Sequence, residues 1–174
     1  MIRSSLVNSN TSSGRCNSIL GNDFGKIKTY ASDFAKRIFD EAPNANVGVI
    51  QFSDVISKLP LTNDEQDVSE YIGNMQQGNF TTLYEAIDMG ITDLENSSAD
   101  GRTILTFTDG TDNNSGLAYT PTSLKNKLND PNTNPPINSF TIGLEGNGGV
   151  DKVVLQELAA NGGAAEFPQN ITQL

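Results

Sequence analysis

The sequence predicts an α/β domain, Rossmann-like, with a mainly parallel central sheet, one antiparallel edge strand and helices on both faces. Three observations predict it. Short, nearly continuous apolar runs alternate with stretches of helical periodicity, the pattern of a parallel sheet covered on both sides. The run Ile104-Leu105-Thr106-Phe107-Thr108 ends on Asp109-Gly110, which sets a carboxylate at the carboxyl edge of the sheet, where open α/β folds place their ligands. The 174 residues contain no internal repeat and no dividing linker, so residues 1–174 form a single domain able to bury well over half of its unfolded surface.

The elements follow in order. Residues 1–17 lack the apolar run of a central strand, and their Ser- and Asn-rich composition suggests a loop or an atypical first strand. Asp23 to Asp40 reads as a helix because Phe24, Ile27, Ala31, Phe34, Ala35 and Ile38 recur at three- and four-residue steps. Pro43 and Asn44 end it. Val47 to Ser53 is a buried strand; Val55 to Leu59, after a tight turn at Ser53-Asp54, is the antiparallel edge strand, closed by Pro60. Asn63 and Gln66 have the spacing of a capping box before a helix carrying Val68, Ile72 and Met75. Thr82 to Leu94 is the next helix, with Leu83, Ala86, Ile87, Ile91 and Leu94 as its buried stripe. The strand Arg102 to Thr108 leads to Asp109, and a polar stretch then gives way to a helix around Ser123 to Leu128. A proline-punctuated loop precedes the strand Ile137 to Leu144. Asp151 to Ala160 is helical and stops at Gly162-Gly163, a left-handed cap. A last short strand lies near Ala165 to Phe167.

Composition narrows the function classes. Hydrophobic residues at 36% and charged residues at 18% describe an ordinary globule, and no apolar run approaches the ~20 residues of a membrane span. The net charge of −10 repels phosphate, which argues against nucleic acid and anionic membranes as partners. There is no histidine, hence neither the commonest general base nor the usual zinc ligand. Cys16 is the single cysteine and has no evident base beside it, so nucleophilic catalysis has no support and no enzyme is expected. Gly146-Asn147-Gly148-Gly149 lies between a strand and a helix but lacks both the Walker lysine and the Gly-x-Gly-x-x-Gly spacing of a phosphate cradle. The sequons at Asn10, Asn79, Asn96, Asn113 and Asn170 permit glycosylation without indicating it.

Four segments in order carry a resemblance. Val47-Gly48-Val49-Ile50-Gln51-Phe52-Ser53-Asp54, then Thr81-Thr82-Leu83-Tyr84-Glu85-Ala86-Ile87, then Ile104 to Gly110, then Phe140-Thr141-Ile142-Gly143-Leu144 resemble a von Willebrand factor A domain, over about Ser18 to Leu174. The resemblance implies a divalent cation, Mg²⁺ or Ca²⁺, held by three loops: Asp-x-Ser-x-Ser, a threonine and an aspartate. It implies Ser18, Thr81 and Asp109 as the metal residues here. It also implies a non-enzymatic adhesion or protein-binding module of a larger extracellular or surface protein, whose protein partner offers an acidic residue to the metal. An intracellular scaffold module of a chelatase-like or regulatory complex is the other expectation. The family's final helix would begin where this sequence stops.

The first loop departs from the family's pattern. One register sets Gly14-Arg15-Cys16-Asn17-Ser18 on Asp-x-Ser-x-Ser and keeps only Ser18. A second ends strand one at Leu6-Val7 and sets Asn8-Ser9-Asn10-Thr11-Ser12 on it. Neither restores the aspartate, and hard-cation affinity falls with ligand charge, so cation binding is expected to be weak or absent. Asp112 and Asn113 read as outer oxygens or as a solvated loop, Asp54 as a turn residue, and Phe80 and Tyr84 as ligand-facing or as packing at a helix start.

Overall fold

The computed structural model describes residues 2–9, 21–144 and 149–168. One six-stranded sheet has the order β3-β2-β1-β4-β5-β6. Its strands are β1 (Ile2–Ser9), β2 (Asn46–Phe52), β3 (Ile56–Thr62), β4 (Gly101–Thr108), β5 (Ile137–Gly143) and β6 (Ala165–Glu166). Only β3 runs antiparallel, on the edge beside β2, as expected. The helices are α1 (Gly21–Glu41), α2 (Glu65–Asn74), α3 (Leu83–Glu95), α4 (Pro121–Leu128) and α5 (Lys152–Leu158).

Crossover handedness distributes the helices. Parallel connections are right-handed, so the step from β1 to β2 puts α1 on one face, and the opposite steps from β4 to β5 and β6 put α4 and α5 on the other. Ile50, Phe52, Ile104 and Ile137 pack under α3, α4 and α5, while Val47, Val49, Leu105 and Phe107 pack under α1 and α2. Each side chain buried this completely contributes about 1.5–3 kcal/mol. The same rule leaves the α1 side of β4 and β5 without a crossover helix. A cavity of about 350 Å³ lies there, lined by Tyr30, Phe34, Leu105 and Phe140 among others, which is why Phe34, on the apolar face of its helix, remains 36% exposed. Among the described residues no helix is long and apolar enough to cross a membrane.

Four local expectations change. The polar segment 2–9 is a central strand, in parallel register from Arg3 opposite Asn46 to Ser9 opposite Phe52 on one side and from Ile2 opposite Gly101 to Asn8 opposite Phe107 on the other. Pro60 does not close β3, which continues to Thr62. The proline lies where the register shifts between Val47 and Val49 on an edge strand, a position where a missing N–H is tolerated. The α2 cap is Asp64 rather than Asn63, its carboxylate accepting from the N–H groups of Gln66 and Asp67. Finally, α5 ends at Leu158, and Ala160 forms a bridge to Ser139. The positive φ of Asn161 (54°) and Gly162 (91°) therefore serves the turn back toward β6, not a helix cap.

Candidate functional site at the carboxyl edge of the sheet

The loops that leave the carboxyl ends of β2 and β4 meet the segment that enters α3. The β2–β3 turn is held by Ser53 N–H donating to the Val55 carbonyl at 3.1 Å. Asp54 is more than a turn residue: its carboxylate accepts from the backbone N–H of Asn79 (3.1 Å) and the side-chain amide of Asn79 (3.4 Å). The Thr82 hydroxyl donates to the Ser53 carbonyl at 2.5 Å. Asn114 then joins all three segments, its side-chain amide donating to Thr82 Oγ1 at 3.0 Å and to the Asp54 carbonyl at 3.5 Å.

Thr81 and the loop opened by Asp109 come together through the backbone. The N–H groups of Asn113 and Asn114 both donate to the Thr81 carbonyl, at 3.0 and 3.2 Å, and Thr81 N–H donates to Asn113 Oδ1 at 2.8 Å. At the end of β4, the N–H of Gly110 and the hydroxyl of Thr108 form a local turn that fixes the chain around the half-buried Asp109. Thr81 is fully buried, and its hydroxyl has no hydrogen-bond partner among the described residues. An orphaned buried hydroxyl is costly unless something outside the described residues satisfies it.

A hydroxyl and a carboxylate are, by chemical type, the neutral and charged oxygens that a hard-cation site uses. The fit is incomplete: among the described residues no group of three or more His, Cys, Asp or Glu is gathered in one place. Ser18, with Gly14 and Cys16, lies outside the described residues, as does 145–148 of the glycine-rich stretch. The register of β1 places Asn8 level with Phe107, and Ser9 ends the strand. The carboxyl end of β1 is thus at the same edge as Asp109, and the strand runs past Leu6-Val7, where the second reading of the first loop ended it, to include Asn8 and Ser9.

Asp112 and Ser115 hold this edge together in a way that the sequence did not reveal. Thr82 occupies the N-cap position of α3 but makes no capping hydrogen bond. Asp112 caps the helix from a distance instead: its Oδ2 accepts from Tyr84 N–H at 2.9 Å and from the Ser115 hydroxyl, while Ser115 Oγ accepts from Glu85 N–H at 3.1 Å. A carboxylate at a helix N-terminus also meets the positive end of the helix dipole. The half-buried phenol of Tyr84 is raised above its ordinary pKa, first by burial and then by the charges of Asp112 and Asp151, and so stays neutral. Asp112→Ala removes the acceptor of Tyr84 N–H and the group that holds the Ser115 hydroxyl against Glu85 N–H, and should cost about 1–2 kcal/mol, lowering the melting temperature by roughly 2–8 °C. A thermal unfolding curve indistinguishable from that of the parent chain would refute the remote cap.

Comparison with known proteins places this geometry in a family. The family model described as von Willebrand factor type A domain matches residues 15–173. Comparison with curated proteins gives no match. Among solved structures, proximal thread matrix protein 1 from the mussel byssus, with a zinc-occupied MIDAS motif, superposes with a TM-score of 0.78 at 16% identity, covering 99% of this chain and 42% of its own. The pilus adhesin SpaC of Lactobacillus rhamnosus GG gives 0.72 at 12% identity, covering 98% of this chain and 28% of its own. The conserved hypothetical protein BatB of Bacteroides thetaiotaomicron gives 0.66 at 22% identity, covering 98% and 91%. At these identities the structures support the fold alone, and the chain spans about two fifths of the mussel protein's length. With the family model matching nearly the whole chain, the conclusion is direct: this chain belongs to the von Willebrand factor type A domain family.

Proposed function

We propose that this chain is a non-enzymatic protein-binding module of an extracellular or surface protein, and that it meets its partner at the carboxyl edge of the sheet. The observation that carries the reading is the cross-linking of the three edge loops through Asp54, Asn79, Thr82, Asp112 and Asn114. Such cross-linking pre-orders the loops and lowers the entropy that partner binding would otherwise spend on them. A matrix protein and a pilus adhesin among the structures of the same fold support the extracellular setting.

Thr81 and Asp109, with Ser18 or the end of β1, would hold a Mg²⁺ or Ca²⁺ ion weakly; when bound, it would supply an open coordination position to an oxygen of the partner. The chain's own residues do the rest: Asp112 and Asn113 fix the loops, and the half-buried Asp109 supplies the negative charge. The reading is tested by coating beads with the chain and scoring their retention on a panel of purified matrix and cell-surface proteins, with Asp109→Ala beads as the control. At least one coat should retain the parent beads several-fold better than the control. Equal retention on every coat would remove Asp109 and its edge from the function.

A further inference from the structure

Three of the five large hydrophobic side chains exposed among the described residues lie on these same edge loops: Val55 (72% exposed), Phe80 (49%) and Leu117 (101%). Isolated exposed apolar residues are normal on a protein surface, whereas clustered ones mark interaction sites. Hydrogen bonds join the loop segments that carry these three. Val55 and Phe80 each follow directly on one member of the bonded pair Asp54 and Asn79. Asn114, bonded to the Asp54 carbonyl and to Thr82, is three residues from Leu117. A turn closed by Tyr119 N–H donating to the Gly116 carbonyl at 2.9 Å lifts Leu117 fully out of the loop.

On the three described loop segments the charges have one sign. Residues 53–55, 75–82 and 109–120 carry Asp54, Asp109 and Asp112 and contain no lysine or arginine.

We propose that the carboxyl-edge loops dock a protein partner whose contact surface combines apolar side chains, which cover Val55, Phe80 and Leu117, with a rim of Lys and Arg that faces Asp54, Asp109 and Asp112. The inference rests on the reading of this edge as the partner face and names the partner's chemistry. Two physical arguments select that occupant. Apolar residues at the centre of an interface with charges at its rim are the usual anatomy of a specific contact. The acidic residues of these described loops repel an acidic surface and steer a basic one toward them. A partner held only by a carboxylate on a metal would leave Leu117 and Phe80 without any role.

The test selects twelve-residue peptides from a phage-displayed random library on the immobilised full chain, once with Mg²⁺ and once with a chelator. Enriched peptides should carry Lys or Arg beside aromatic or aliphatic residues and survive the chelator. Their affinity should fall at least tenfold in Phe80→Ser or Leu117→Ser and weaken as salt is raised. Both substitutions are at exposed positions, and unchanged thermal unfolding of each variant confirms that the fold is intact. Acidic peptides that require Mg²⁺ and are lost in Asp109→Ala would overturn this inference while leaving the edge as the binding face. No enrichment, or peptides indifferent to Phe80→Ser, Leu117→Ser and Asp109→Ala alike, would overturn both.

Discussion

Gly163→Ala should destabilise this domain by about 3 kcal/mol or more, at the upper end of what overpacking costs, and lower its melting temperature by roughly 6–12 °C. A Cβ at this position would fall 1.8 Å from the Ser139 carbonyl oxygen and 2.4 Å from its carbon. Both atoms are backbone, so no rotamer change relieves the clash. Ser139 is held in turn by β4 on one side and by reciprocal hydrogen bonds to Ala160, at 3.0 and 3.1 Å, on the other. Either the bridge to Ala160 or the short pairing of β6 with β5 must open. Gly162→Ala is the control. There the φ of 91° strains an alanine, but the nearest atom to the new Cβ is Asn138 Oδ1 at 4.0 Å, so the cost is that of one left-handed residue, about 1–2 kcal/mol. Chemical or thermal unfolding of the two variants separates close approach from backbone strain. Equal losses would mean that Gly163 does not pack against Ser139.

The elements legible in the sequence were those whose own residues decide them. In α3, Leu83, Ala86, Ile87, Ile91 and Leu94 are all buried at the positions the period gives. Strand β4 is buried from Ile104 to Thr108, and its end marks Asp109. What remained illegible depends on neighbours distant in sequence. Strand β1 contains Arg3, Ser4, Ser5, Asn8 and Ser9, which no propensity would assign to a sheet centre. It is a strand because β2 and β4 pair with it on both sides, and tertiary pairing overrides local preference in sheets. The Asp112 cap acts on an N–H 28 residues away, a separation that no capping-box spacing can reveal. Asn63 and Asp64 are adjacent polar residues before one helix. The choice between them falls to Asp64, whose own N–H is held by the Thr62 hydroxyl at 3.1 Å while its carboxylate reaches two helix donors.

The second large effect concerns the first loop and its missing charge. The parent chain should bind Mg²⁺, Mn²⁺ and Ca²⁺ with dissociation constants no tighter than about 1 mM, the weak end of the range that ligand charge count produces. Asn8→Asp should tighten this by roughly tenfold to a hundredfold, about 1.4–2.7 kcal/mol. The argument is one of position and charge. β1 lies between β2 and β4, Asn8 stands level with Gln51 and Phe107, and Asp109 follows Phe107 by two residues at the same edge. A second carboxylate at that level would double the formal charge at the edge that also carries the Thr81 hydroxyl, which is without a partner among the described residues, and would not require the sheet to rearrange. Gly14→Asp is the discriminating control, because it restores the aspartate only under the alternative register. Titration calorimetry on the two variants, each with and without Asp109→Ala, gives a clear decision. A gain in Asn8→Asp that disappears with Asp109→Ala places the cation between β1 and β4. A gain in Gly14→Asp alone would move the motif to the later register, and submillimolar binding by the parent chain would show that neutral oxygens in the first loop already suffice.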